Sequence, residues 1–248
     1  MFQPRVYRRN MGRDRFESFT AKFLETDLWI GVDKISFNKE MADFALVCIK
    51  DIRAEIEEYA KRDKTFLKAL FPYEENSAPR LVTKMFECGK RAGVGPMATV
   101  AGILAQEVGR LIETTFNVKE IVVENGGDIY LNVKEAVVIS VFAGSSPLSE
   151  KVGLKIEPEY SPLGICTSSG IVGHSFSFGK ADAVVVVCKD AGLADAYATS
   201  FCNKINSEKD IEPVLDRIKK ENKILGAVVI VKEQVGIRGT FPLEILKS

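Results

Sequence analysis

The chain has 248 residues, of which 46% are hydrophobic and 27% charged, an ordinary globular composition with enough apolar side chains for a sizeable core. Lysine plus arginine and aspartate plus glutamate both number 34, so the formal net charge is zero. That balance speaks against nucleic acid or an anionic membrane as partner.

The start, MFQPRVYRRNMGRDRF, is locally basic through Arg5, Arg8, Arg9, Arg13 and Arg15. A solvated entry segment is the plain reading, and a phosphate or acidic contact the sharper one. No apolar h-region follows, and no apolar run reaches spanning length, so a cytoplasmic protein with no membrane partner is expected. Cys48, Cys88, Cys166, Cys188 and Cys202 are odd in number, widely scattered and without a CxxC. Neither a zinc ribbon nor a thioredoxin-type pair is available, and reduced core cysteines are expected.

Residues 15–32 begin with period-two alternation, Phe19, Ala21 and Phe23 against Ser18, Thr20 and Lys22, turn at Glu25-Thr26-Asp27 and go on to a second strand at Leu28-Trp29-Ile30, which predicts a hairpin. Asn38 is placed to cap a helix whose apolar face is Met41, Phe44, Ala45, Cys48, Ile49, Ile52, Ile56 and Tyr59. A short helical turn over 65–71 stops at Pro72, and 73–79 reads as a loop. A second helix over 79–92 breaks at Ala92-Gly93-Val94-Gly95-Pro96-Met97-Ala98, and a third runs from about Met97 to Thr115. The glycines imitate a GxGxxA dinucleotide fingerprint, but a helix precedes them where that motif needs a strand. They read as a tight turn with Pro96 at the first helical position. The amides of that helix start could take a phosphate; a close helix crossing explains the small residues equally well.

Strands are expected over 119–123 and 129–133, joined by Glu124-Asn125-Gly126-Gly127-Asp128. Asn-Gly is a hairpin signal by itself. Paired glycines also let a ligand approach the backbone beside Asn125 or Asp128. A strand over 137–142 leads into a loop-rich connection with some strand over 144–162. Cys166-Thr167-Ser168-Ser169-Gly170 reads as a small-residue turn, and Ala183 to Cys188 as a buried strand. Asp190 caps a helix through about Ile205, and another helix spans 210–222. A strand over 225–232, then a turn and a last strand over 234–245, close the chain. Runs of strands and runs of helices predict an α+β fold, a single domain over 1–248, with no short-period repeat.

Asp195 and Thr199 lie one turn apart on one helix face, where a carboxylate and a hydroxyl can share a magnesium ion. The plain alternative is an acid in a first turn, favoured by the helix dipole. His174, the only histidine, could act as a general acid or base, or merely hydrogen-bond a strand end. Cys166 lies where backbone amides could stabilise a thiolate; a small buried residue is the plain reading. A hydrolase built from Ser168 or Ser169 with His174 and Asp182 or Asp195 lacks the GxSxG elbow and ranks low.

Four segments together resemble the ApbE superfamily in order and rough spacing. They are Gly95-Pro96-Met97-Ala98, Asn125-Gly126-Gly127-Asp128, Thr167-Ser168-Ser169-Gly170 with His174, and Ala194-Asp195-Ala196-Tyr197-Ala198-Thr199. Each is weak alone; four in order are more specific. ApbE proteins are FAD:protein FMN transferases that use magnesium to cleave FAD and attach FMN to a Thr or Ser of a target protein. The resemblance implies an ApbE-like, T-fold-related fold of antiparallel sheets with packed helices. It implies Mg2+ on Asp195 and Thr199, and FAD, FMN or another phosphate-bearing small molecule along Gly95, Met97, Ala98, Asn125, Gly126, Gly127, Asp128, Thr167, Ser168 and Ser169. His174 and Cys166 are the candidate catalytic residues.

The chain departs from the family pattern in two places. No Asp-Pro follows His174, and the glycine-to-helix turn carries no lysine. The strings AGVGPMATVAGILAQEVG and TSSGIVGHSFSFGKADAV look like a sister branch found in archaea and anaerobic bacteria. By resemblance that branch is linked to sulfide assimilation into homocysteine, which implies a sulfur-handling role for Cys166 and a sulfur-pathway protein as partner. A non-catalytic binding protein and a homo-oligomer are further alternatives.

Overall fold

The computed structural model describes residues 15–73, 77–171 and 178–246. Its frame is an eight-stranded antiparallel sheet, in which β1 (Phe16–Phe23), β2 (Thr26–Asp33), β3 (Ile121–Asn125) and β4 (Asp128–Asn132) form one half. The other half is β7 (Leu163–Ser168), β8 (Ala183–Cys188), β9 (Ile224–Val231) and β10 (Gln234–Gly239), and the spatial order follows the chain. A second sheet holds β5 (Val137–Ser140), β6 (Val152–Ile156) and β11 (Leu243–Ile245), in the order β11-β6-β5.

The halves share a plan. After β2 the chain leaves the sheet for α1 (Met41–Arg62), α2 (Arg80–Ala92) and α3 (Val100–Phe116); after β8 it leaves for α4 (Ala191–Cys202) and α5 (Ile211–Ile218). Each excursion returns to pair with the strand it left, β2 with β3 and β8 with β9. The halves join where β4 pairs β7, Ile129 opposite Ile165 and Leu131 opposite Leu163.

Alternation along the strands builds three layers. Val184, Val186 and Cys188 pack beneath the helices with Ala194, Ala198 and Phe201. Ala183, Val185 and Val187 point to the other face and pack with Val152, Leu154 and Ile156 of the small sheet. Because both faces are covered, β8 is apolar at all six positions rather than alternating. In the first half, Ile30, Val32, Ile121 and Val123 meet Ile49, Ile52, Met85 and Ile112 of the helices.

The expected α+β class and antiparallel sheets are present. Several local expectations change. The short turn expected over 65–71 is present over 64–68, with Lys68 N–H and Ala69 N–H donating to Thr65 O, and does not run on to Phe71. The third helix does not begin at Met97: Pro96–Thr99 is a 3-10 turn, and the α-helix starts at Val100. Asn38 starts the turn before α1, its Oδ1 accepting from Glu40 N–H at 2.9 Å, but the capping position itself is Glu40. The small-residue turn 166–170 is for its first three residues strand, because Cys166, Thr167 and Ser168 pair with Val186, Val185 and Val184. On the helix side of β7, Gly164 and Cys166 are small because α4 lies close above them, a Cβ on Gly164 falling 2.2 Å from Ala191 Cα.

All five cysteines are free and buried. Arg15 of the basic start is engaged within the chain, its guanidinium on the Glu120 carboxylate and on the carbonyls of Glu135 and Ala136. Among the described residues no helix is long and apolar enough to cross a membrane.

Candidate functional site

The seam between the halves gathers most of the singled-out residues. β3 and β4 are joined by Gly126 and Gly127 alone, both in the left-handed region at φ +69° and +103°. Two positive-φ residues are what a tight two-residue hairpin demands, and glycine adopts them without a Cβ penalty. Glu124, fully buried, fixes the turn by accepting from Gly127 N–H at 2.7 Å. Asp128 therefore opens β4 directly beside β7, where its Oδ1 accepts from Thr167 N–H at 3.3 Å. A Cβ placed on Gly127 would lie 3.8 Å from Thr167 Cβ, so Thr167 flanks the bare glycine backbone.

Asp195 reaches the same place from α4. Its Oδ2 accepts from Gly102 N–H in the first turn of α3 at 3.0 Å. Asn125 grips that turn from the other side, its Nδ2 donating to Ala101 O at 3.2 Å. The start of α3 is thus held between the end of β3 and the face of α4. The position of α4 is fixed by bare backbone: a Cβ on Gly164 would fall 2.2 Å from Ala191 Cα, and one on Gly102 2.3 Å from Ala191 O. Thr199 follows Asp195 by one turn and is buried.

The electrostatics are unfavourable for the protein alone. Burial pushes the Asp128 carboxyl well above the usual range, and the neighbouring Asp195 charge adds to this. Burial likewise raises Asp195, offset in part by the amides of Gly102 and Ala101. Among the described residues no lysine or arginine forms an ion pair with either acid. Two acids sharing a desolvated site without a counter-cation each resist ionisation. A bound divalent cation would remove that penalty, and the hard oxygens of Asp195, Thr199 and Asp128 suit magnesium. The donor set therefore fits the metal that the family implies.

Cys166 lies beneath this pair. It is fully buried, and its Sγ donates to Ala191 O at 3.2 Å. Burial first, then the charges of Asp128 and Asp195, push its thiol well above the ordinary value. A protonated thiol without solvent access is neither nucleophile nor persulfide carrier at neutral pH, so the geometry lends no support to a sulfur-handling Cys166.

The remaining residues are divided. Ser169 is occupied by its own turn, its Oγ donating to Ala181 O at 3.3 Å and accepting from Ile171 N–H at 3.1 Å. Ser168 is buried. Gly95 N–H donates to Leu70 O and Ala98 N–H to Gly95 O, both at 3.1 Å, so those two amides are taken within the chain. A phosphate at that turn would have to use other groups, while Met97 and Ala98 remain partly exposed. Asp182 is buried, its Oδ2 accepting from Lys232 N–H at 2.6 Å. His174 lies outside the described residues.

The sequence names Asp190 as the cap of α4, as found, but not the network behind it. Asp190 caps the helix through Oδ1, which accepts from Leu193 N–H at 3.0 Å. Its Oδ2 accepts from Gln106 Nε2 at 3.0 Å and pairs with Lys84 Nζ at 2.9 Å. Gln106, fully buried, returns its Oε1 to Ala191 N–H at 2.8 Å. Glu107 joins through Lys84 and Arg80. A glutamine on an apolar helix, Gln106, was the one local signal.

The family model described as AbpE bacteria matches residues 8–237. A UPF0280 protein of Methanocaldococcus jannaschii is 39% identical over 230 residues, spanning 90% of this chain and 91% of that protein. A UPF0280 protein of Methanosarcina acetivorans is 40% identical over 193 residues, 77% and 75% of the two chains. Among solved structures, the apo flavinyl transferase ApbE of Pseudomonas stutzeri superposes with TM-score 0.57 at 13% identity, covering 90% of this chain and 94% of that one. The apbe protein of Thermotoga maritima gives 0.56 at 15%, covering 90% and 96%. At those identities the structural likeness is one of fold.

Proposed function

The chain belongs to the AbpE bacteria family, and on that footing we propose that it is a magnesium-dependent flavin- or nucleotide-binding protein with its site at the β4–β7 seam. The observation that carries this reading is the desolvated pair Asp128 and Asp195, which lacks any cationic partner among the described residues. Asp195 and Thr199 would hold the metal, with Asp128 beside them. Bound there, a magnesium ion would neutralise phosphate charge and polarise a phosphoanhydride.

The chain's own residues supply the rest. The Gly126-Gly127 backbone, bare of side chains, would admit the flat face of a ligand, with Thr167 at its edge. Asn125 and Asp195 would keep the first turn of α3 in place while the ligand enters. Flavin transfer, the activity for which the Pseudomonas stutzeri protein is named, is the reaction this arrangement would support.

The test is a titration of metal-free protein with FAD, FMN and ADP, with and without magnesium, on wild type and Asp195→Asn. Magnesium-dependent binding that the variant loses is expected, followed by FAD cleavage that chelator abolishes. Binding indifferent to both metal and variant would overturn the proposal. If the ligand binds with metal but FAD is never cleaved, the transferase part alone fails.

A further inference from the structure

A second concavity lies on the opposite side of α4. At about 100° per residue, Tyr197, Ser200, Phe201 and Lys204 project away from the face that carries Asp195 and Thr199. There the C-terminal ends of α2, α4 and α5 converge on a cleft of about 240 Å3. Arg91 comes from the last turn of α2, Lys204 follows α4, and Arg217 and Lys220 come from the end of α5. One acid, Glu221, lines the same cleft, and its Oε2 is engaged by the Tyr197 hydroxyl at 2.7 Å.

Four cations against one acid leave an excess positive charge in a concave space. Cations near helix C-termini ordinarily answer the helix dipole, and each does so where it stands. That accounts for their presence, not for their convergence. Lys204 Nζ holds Ser200 O at 2.9 Å and Ser200 Oγ at 2.8 Å, while lying 5.4 Å from the centroid of the Phe201 ring. Loss of solvation and the nearby Arg217 charge hold the Lys204 ammonium below its usual value. Among the described residues no ion pair engages Arg91, Lys204, Arg217 or Lys220. Like charges gathered in a cleft are stabilised by an anion between them. The planar forks of Arg91 and Arg217 match a phosphate's oxygens. The size of the cleft suits a phosphate with a short appendage rather than a whole dinucleotide.

We propose that the cleft between the ends of α2, α4 and α5 is a binding site for a small phosphate-bearing anion, separate from the carboxylate site on the other face of α4.

The test uses the full chain, free of metal, and inorganic phosphate as probe. Binding is followed by calorimetry and by phosphorus NMR, at ionic strength held constant with chloride. Saturable binding at about millimolar or tighter is expected, weakened at least about tenfold in the Lys204→Gln/Arg217→Gln double variant and unchanged in Asp195→Asn. Lys204 and Arg217 are exposed residues, so the variant should fold, which its circular dichroism and melting temperature would check. Absence of saturable binding, binding that survives the double variant, or binding lost in Asp195→Asn would each overturn the proposal. The last of these would reassign the phosphate to the carboxylate site.

Discussion

Asp195 Oδ2 lies 3.0 Å from the backbone nitrogen of Gly102, so the carboxylate of one helix caps the first turn of another. The residue nominated as a metal ligand therefore has a structural task as well. An anion at a helix N-terminus satisfies an orphan amide and answers the dipole. Charge and acceptor can be separated by substitution, which makes the two roles distinguishable.

Asp195→Ala should lose about 1–2 kcal/mol of stability, the usual cost of deleting a helix cap, together with magnesium-dependent ligand binding. Asp195→Asn keeps an acceptor for Gly102 and relieves repulsion with Asp128. It should be at least as stable as wild type and still lose the metal. Urea denaturation beside magnesium titration separates the cases. Equal destabilisation by both variants would show that the charge, not the acceptor, secures α3.

The acid limb of the stability profile should run through the cluster that seats α4. Burial alone would raise the carboxyls of Glu107 and Asp190, but Arg80 and Lys84 around the first, and Lys84, Gln106 and the Leu193 amide around the second, bring both below their usual values. A depressed folded-state value means stability that is complete above the unfolded carboxyl pKa of about 4 and is lost as pH falls through the folded value. Melting temperature should fall steeply below about pH 4.5. Glu107→Gln should be less stable at pH 7 with a shallower acid limb. An unchanged slope would put the titration elsewhere.

Gly164→Ala should be strongly destabilising, by about 2–3 kcal/mol or more. The new methyl would meet Ala191 Cα at 2.2 Å, a backbone atom that cannot move without shifting α4. Because α4 carries Asp195 and Thr199, ligand affinity should fall beyond the loss in stability. Gly93→Ala, whose Cβ would meet nothing within 4 Å, tests backbone strain at φ +75° alone and should leave the site intact.

The cysteines should be silent in the native state. All five are free and buried, and the Cys166 and Cys88 thiols are raised, Cys88 to about 12 by burial and by Asp190. Iodoacetamide at pH 8 should label the folded protein at roughly a hundredth of the rate in urea or less. Rapid native labelling of Cys166 would revive a sulfur role that its present surroundings oppose.

Local periodicity carried the elements whose faces are simple. The alternation of Phe19, Ala21 and Phe23 against Ser18, Thr20 and Lys22 is the pattern of β1, and the apolar face of α1 recurs as Met41, Ala45, Cys48, Ile49, Ile52 and Ile56 in the core. Cys166 to Ser168 misled because small polar residues usually mark turns. Here they are strand residues, and the small Cys166 lies under the helix that packs on the backbone at Gly164. The Pro96 start misled by one turn, since the segment first closes a 3-10 turn with its own amides.

By itself the sequence determined most of the strands and helices, though not the strand at 166–168 or the start of α3, together with the two glycines at the β3–β4 turn and the one-turn spacing of Asp195 and Thr199; what it determined depends on neighbours within a few residues. Only the tertiary structure decided that Asp128 shares a desolvated site with Asp195, and that four cations from three helix ends share a cleft. β4 meets β7 only after the chain has built part of a second sheet between them, and α4 is set against α3 by packing at Gly102 and Gly164. Such encounters depend on long-range pairing and burial, to which a period of two or 3.6 residues carries no reference.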